Sequence, residues 1–136
     1  MIDPFTRTRF HSDLKLETWY PAGVLDSLMA AFMAGYIHFE EGVSDGPFTR
    51  FSDLSQLTAI HLDFAELTNL AAERRASYDG PPVKSAILAP GKAAYGTARM
   101  FAELMEPSPI DVQVFRTVKD AAEWLGVPVE ALRMPS

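Results

Sequence analysis

The sequence predicts a single α/β domain built on a mixed, mostly parallel sheet. The chain has 136 residues, the length of one ordinary domain, and its 48% hydrophobic content supports a packed core. Two β-rich stretches open the chain, and strands then alternate with amphipathic helices. The order β-β-α-β-α-β-α-β-α predicts four or five strands, one of them antiparallel, and about four helices in one domain over residues 1–136.

The first two strands are predicted to form a hairpin. Residues 5–11 and 14–20 both contain alternating β-forming side chains, and Ser12 and Asp13 between them suit a two-residue turn. Residues 21–23 (PAG) are expected to end the second strand.

The first helix is predicted from apolar residues at three- and four-residue steps, namely Leu25, Leu28, Met29, Phe32, Met33, Tyr36 and Ile37. With Phe39 added, this is more apolar surface than one helix face needs. The surplus favours either a dimer or partner interface or a deeply buried helix. Residues 40–47 are expected to form a loop, with Glu40 and Glu41 solvated.

The remaining elements follow from strand alternation and helix caps. Strands are predicted over residues 48–54, 83–89 and 111–116, with a loop over 55–60. The second helix is expected to begin at Asp63 with a capping box to Glu66, and the third after Pro90 and Gly91. Thr117 and Gly126 are expected to bound the fourth helix, before a last turn over 128–132.

Charge and composition exclude several function classes. The net charge of −6 opposes binding to a nucleic-acid backbone. The absence of cysteine excludes disulfides, thiol nucleophiles and cysteine-ligated metals. The N-terminus lacks a signal-peptide pattern, and the longest uncharged run, residues 27–39, is too short to span a bilayer. A cytoplasmic location is therefore expected.

Five segments together resemble the SpoIIAA-like branch of the STAS superfamily, the sulfate-transporter and anti-sigma-factor-antagonist domains, also described as STAS/SEC14-like. They are residues 21–26 (PAGVLD), 50–55 (RFSDLS), 82–86 (PVKSA), 95–100 (YGTARM) and 121–127 (AAEWLGV). The resemblance implies a small bacterial protein whose sheet carries helices mainly on one face. It also implies a non-enzymatic regulatory or protein-interaction module.

The phosphorylation switch of the anti-sigma-antagonist relatives does not carry over. In those relatives a phosphoacceptor serine follows an Asp at the start of the second helix, and the matching stretch here is residues 62–65 (LDFA). Phe64 stands where that serine would be needed. Ser55 and Thr58 are the alternative acceptors, and we expect this loop to stay unmodified.

No catalytic or cofactor motif is complete, so no cofactor or metal is predicted. His11, His38 and His61 are isolated in sequence, and there is no G-x-S-x-G elbow. Residues 86–93 contain Gly-Lys but lack the opening Gly and the Ser/Thr of a phosphate loop. The start of the third helix, beside Lys92, suits either an anion or an ordinary turn.

A ligand or partner site is predicted where parallel strands end, because α/β folds usually bind ligands at the carboxyl edge of the sheet. Two loops and the third helix are expected to meet there, and Tyr95 and Arg99 share one helix face. The candidate residues are Asp53, Ser55, Thr58, Asp63, Lys92, Tyr95 and Arg99.

Three function classes follow. The leading one is the STAS-type regulatory or interaction module, with an unidentified protein partner or a homodimer through the first helix. A small-ligand or lipid-binding domain is the alternative, and it requires an apolar cavity. An enzyme with dispersed residues is the third, and it requires a titratable group with a perturbed pKa inside a concave pocket.

Overall fold

The computed structural model describes residues 7–134, and within them the chain forms seven strands and five helices. Phe5 and Thr6 of the predicted first strand lie outside the described residues. The elements in chain order are β1 (Thr8–His11), β2 (Leu16–Trp19), β3 (Gly23–Asp26), α1 (Ser27–Val43), β4 (Thr49–Asp53), β5 (Leu57–His61), α2 (Phe64–Ser77), β6 (Val83–Leu88), α3 (Lys92–Leu104), β7 (Ile110–Phe115), α4 (Val118–Leu125) and α5 (Val129–Leu132).

The main sheet has five strands in the order β1-β2-β4-β6-β7. β1 and β2 pair antiparallel as the predicted hairpin, but four residues, 12–15, connect them instead of the expected two-residue turn at Ser12 and Asp13. The pairs β2/β4, β4/β6 and β6/β7 are parallel. The predicted α/β class, with a mixed and mostly parallel sheet of four or five strands, is therefore confirmed.

A second, two-stranded sheet was not predicted. β3 and β5 pair in parallel, whereas residues 21–23 were expected only to end a strand and residues 55–60 to form a loop. Leu25, which was expected on the first helix, lies in β3. Strands of four or five residues carry little periodic signal by themselves, and these two gain stability from each other. β3 also runs directly into α1, whose N-cap Asp26 accepts a hydrogen bond from the Met29 amide at 2.9 Å.

The expected loop over residues 40–47 was wrong in its first part, because α1 continues to Val43. Glu40 and Glu41 therefore lie in the last turns of the helix. Instead of being solvated, the side chain of Glu41 is only 10% exposed. The local breakers Gly42 and Gly46 predicted an earlier end, but contacts between these carboxylates and the sheet favour the helical extension.

Helices cover both faces of the main sheet. α1, α2 and α3 pack on one face, here called the α1–α3 face, where Ala71 and Ala98 meet Ile87 and Val112. α4 and α5 pack on the other, where Ala121, Ala122 and Leu132 meet Leu16, Phe51, Ala86 and Leu88. Three of the five helices thus share one face. Within residues 7–134, none of the helices has the length and apolar character needed to cross a membrane.

The predicted helix caps are present. Asp63 and Glu66 form a reciprocal capping box at the start of α2. Thr117 caps α4 by accepting a hydrogen bond from the Asp120 amide, and Gly126 ends that helix with a left-handed φ of 72°. These ends were predictable because capping chemistry is local in sequence.

A buried tyrosine holds the C-terminal turn against the hairpin. Tyr20 follows β2 and is fully buried, and its hydroxyl lies 2.9 Å from the carbonyl oxygen of Leu132 and 3.1 Å from that of Arg133. The ring also makes an edge contact with Phe51. One side chain therefore joins residues more than a hundred positions apart, at the end of α5.

The α1–α3 face carries an unexpected row of polar residues. Glu17, Arg50 and Ser85 are register partners on β2, β4 and β6, so their side chains point to the same face. Glu17 is 2% exposed. Burial, followed by a hydrogen bond to Glu40 and the charge of that residue, raises the pKa of Glu17 from 4.5 to about 8.

We predict that Tyr20→Phe lowers the free energy of unfolding by about 1 kcal/mol, because the hydroxyl donor is lost while the buried carbonyls remain. Urea denaturation measures the change. Tyr95→Phe, at a half-buried position on α3, is the control and is expected to stay within about 0.5 kcal/mol. Equal effects of the two substitutions would contradict this account of α5.

We predict that the raised pKa of Glu17 makes the fold less stable as pH rises. Between pH 4.5 and about 8 the folded protein keeps a proton on Glu17 that the unfolded chain releases, so the free energy of unfolding falls over this range. Glu17→Gln stays neutral and is expected to reduce this fall. Urea midpoints at pH 5.5 and 8.5 measure it, with the exposed Glu103→Gln as control. An unchanged pH dependence in Glu17→Gln would refute the assignment.

Candidate functional site

The first two predicted site residues, Asp53 and Ser55, lie at the carboxyl edge of the main sheet. Asp53 ends β4, which pairs in parallel with β6, so both strands end at this edge. Asp53 is 7% exposed, and its carboxylate accepts a hydrogen bond from the Ser55 amide at 2.8 Å. Asp53 thus shapes the turn after β4, while Ser55 itself is exposed.

The other five candidates occupy β5 and the helices that follow. Thr58 is exposed on β5, and Asp63 is the N-cap of α2. Lys92 and Arg99 are exposed at the start and middle of α3. Tyr95 is half-buried, with the guanidinium of Arg116 lying 4.8 Å from the centre of its ring. Asp63 and Tyr95 therefore make contacts that stabilise the fold. The ligand or partner site that the seven residues were expected to form stays a prediction.

Phe64 occupies the first turn of α2, directly after its N-cap Asp63. Its side chain is 62% exposed. An apolar ring without a hydroxyl group therefore stands at this helix start.

An apolar cavity of about 170 Å³ lies between the α1–α3 face and its helices. α1 contributes Ala30, Met33, Ala34 and Ile37 to its wall, and α2, α3 and the small β3/β5 sheet line it with further aliphatic and aromatic side chains. Its volume is similar to the engineered cavity of about 150 Å³ that binds benzene. The space that the small-ligand hypothesis requires is thus present.

A buried ion cluster borders this cavity. One carboxylate oxygen of Glu41, Oε2, accepts hydrogen bonds from Nη2 of both Arg50 and Arg74, the latter at 2.6 Å. The three side chains are 10%, 2% and 8% exposed, respectively. Burial lowers the pKa of Arg50, and the charge of Glu41 opposes this effect. The guanidinium stays charged at neutral pH, because arginine does not lose its proton in proteins.

Aromatic rings cover the Arg50 guanidinium. Its central carbon lies 4.6 Å from the centre of the Phe48 ring and 5.0 Å from that of Tyr78. A second cavity, of about 300 Å³, adjoins the cluster and is lined by Arg50, Glu41 and His38 among others. Arg50 lines both cavities.

Sequence reasoning missed this cluster, although one signal was present. Side chains alternate along the strand Thr49–Asp53, so Phe51 and Arg50 point to opposite faces of the sheet. Because helices were expected to pack on the sheet, this alternation was the signal for a covered Arg50. Arg74 lies in the last turn of α2, where a basic side chain also suits the helix dipole, and it is buried against Glu41. Within residues 7–134, none of the seven predicted site residues lines either cavity.

The outer face of α1 carries exposed apolar side chains, here called the α1 stripe. Leu28, Phe32, Phe39 and Val43 are 79%, 44%, 63% and 63% exposed, respectively. Their separations are close to whole helical turns, so they share one side of the helix, with Gly35 between the two phenylalanines. The other side of α1, including Met33 and Ile37, lines the apolar cavity. α1 therefore presents apolar side chains both to the cavity and to the solvent.

Comparison with known proteins identifies a structural relative. No protein-family model matches the sequence, and no curated protein matches it. The chain is similar in structure to an uncharacterised DUF3478-family protein with a SpoIIAA-like fold from Shewanella loihica PV-4. The TM-score is 0.54 at 15% identity, over 88% of this chain and 91% of that one. This likeness confirms the fold that was expected from the sequence: the protein has a SpoIIAA-like fold.

Proposed function

We propose that this protein is a non-enzymatic STAS-type regulatory module that acts by protein association through the α1 stripe. The observation that carries the proposal is the exposure of large apolar side chains along one continuous helix face. Contiguous apolar surface on a folded protein commonly marks an interaction site. Full burial of one large apolar side chain contributes about 1.5–3 kcal/mol, so four of them from each partner offset much of the cost of association.

The occupant that fits this face is a second copy of the same chain. The stripe is symmetric in sequence about the point between Gly35 and Tyr36. If two α1 helices cross antiparallel there, Leu28 of one copy faces Val43 of the other, and Phe32 faces Phe39. Such reciprocal pairing is what a two-fold interface requires. Gly35 at the centre permits close approach of the two backbones.

Charge distribution supports self-association at this face. The chain carries a net charge of −6, so most of its surface repels a second copy. Residues 27–39 contain no Asp, Glu, Lys or Arg, so the stripe adds no charge of its own over most of its length. The α1 stripe is therefore a favourable surface for two copies to meet.

The placement of the titratable groups supports a non-enzymatic role. Glu17 has a strongly raised pKa, but it lines neither cavity and instead shares a hydrogen bond with Glu40 between sheet and helix. Arg50 does line both cavities, and it is held by an ion pair and two rings. These contacts suit binding and packing better than proton transfer.

Sedimentation or light scattering of the purified chain tests the proposal. We expect a concentration-dependent dimer of twice the 15.0 kDa chain mass. Phe39→Glu places a carboxylate opposite Phe32 of the second copy, and we expect it to weaken association by about a hundredfold, because a buried unpaired charge is costly.

Phe64→Glu is the matched control, because Phe64 on α2 is as exposed as Phe39, at 62% against 63%. It is expected to leave the dimer intact. A wild-type chain that remains monomeric at millimolar concentration overturns the proposal, and so does equal loss of the dimer in the two variants.

A further inference from the structure

The apolar cavity on the inner side of α1 is lined by small side chains from two helices. Ala30 and Ala34 of α1 and Ala98 of α3 each contribute no more than a methyl group to its wall. Protein interiors are normally close-packed, so a space of about 170 Å³ beneath the helices leaves its lining without contacts on one side. A molecule that fills the space restores those contacts.

The wall of this cavity offers no partner for a cation. Within residues 7–134, none of its lining residues is an aspartate or a glutamate. The two charged residues that line it, Arg50 and Arg74, are both positive. A cation that enters therefore loses its hydration without meeting an opposite charge, which is costly.

The two arginines are also poor partners for an anion, because their guanidinium groups are already engaged. Nη2 of each donates a hydrogen bond to Glu41, and Nη1 of Arg74 donates to the Ser77 hydroxyl at 3.1 Å. The other two nitrogen atoms of Arg50, Nε and Nη1, are buried. An anion in the cavity therefore loses its hydration without gaining the paired hydrogen bonds that a free guanidinium supplies.

The volume and the lining of the cavity define the size and character of a ligand that fits it. A cavity of about 150 Å³ binds benzene, so about 170 Å³ suits a molecule of similar size. Most of the lining is aliphatic or aromatic, as at Met33 and Phe101, and suits contact with a hydrocarbon. The polar lining residues other than the arginines are uncharged, namely Ser52, Ser85 and Thr97.

We propose that the apolar cavity is a binding site for a small, neutral, apolar molecule about the size of one aromatic ring, held by burial and dispersion contacts instead of by charge. The site lies on the inner side of α1, whereas the α1 stripe lies on the outer side. Loss of self-association would therefore leave the binding proposal intact, and the reverse also holds.

Isothermal titration calorimetry at pH 7 with toluene, benzoate and benzylammonium tests the site. The three probes share one ring and differ mainly in the charge of the attached group. We expect one-to-one binding of toluene with a Kd of about 1 mM or tighter, at least about tenfold tighter than either ion, because only the ions lose a strong hydration shell. Absence of toluene binding overturns the proposal, and so does an ion that binds as tightly as toluene.

Substitution of Ala34 tests the location of the site. Ala34→Leu adds three carbon atoms from the α1 wall without changing any charge, and we expect it to weaken toluene binding at least about tenfold. Ala31→Leu is the matched control, because it makes the same change at an exposed position of α1 that does not line the cavity, and it is expected to bind toluene as the wild type does. Wild-type affinity in Ala34→Leu would contradict the assignment.

Methionine methyl NMR of the wild-type chain locates the ligand without any substitution, so the test stays decisive if Ala34→Leu does not fold. Met33 and Met105 line the cavity, whereas Met134 is 36% exposed and does not line it. We expect added toluene to shift the methyl resonances of Met33 and Met105, because an aromatic ring changes the local magnetic field, and to leave that of Met134 in place. Shifts confined to Met134 would refute the proposal.

Discussion

The buried ion cluster of Glu41, Arg50 and Arg74 is the interaction on which the rest of the α1–α3 face depends. Arg50 belongs to the central strand β4, Glu41 to the last turns of α1, and Arg74 to α2. Burial of a charge is costly unless an opposite charge and hydrogen bonds compensate for it. The position of Glu41 therefore extends α1 beyond its expected end and joins two helices to the sheet through one carboxylate oxygen.

α1 presents two kinds of surface along its length. On the inner side, small and aliphatic residues leave an apolar cavity between helix and sheet. On the outer side, the α1 stripe exposes Leu28 and Phe39 to solvent. α1 contains few charged residues, as its sequence already showed. Both its inner and its outer surface are therefore apolar. The outer surface is the one through which we propose that two copies associate.

Much of the fold was predictable because its signals are local. The hairpin, the alternation of strands and helices, and the caps at Asp63, Thr117 and Gly126 depend on residues close together in sequence. The small β3/β5 sheet was missed because each strand is short and gains its stability from the other. For the same reason, residues 40–43 were expected in a loop, since their partners lie on β2, β4 and α2.

The candidate site also combines features that the sequence predicted with features that depend on distant residues. From the sequence alone came the α/β class, the apolar surplus of the first helix and the edge at which Asp53 and Lys92 lie. Only the tertiary structure decided that Arg50 and Arg74 are buried around one carboxylate beside a cavity. Helix and strand signals arise from neighbouring residues, whereas the burial of a charge depends on which distant elements pack over it.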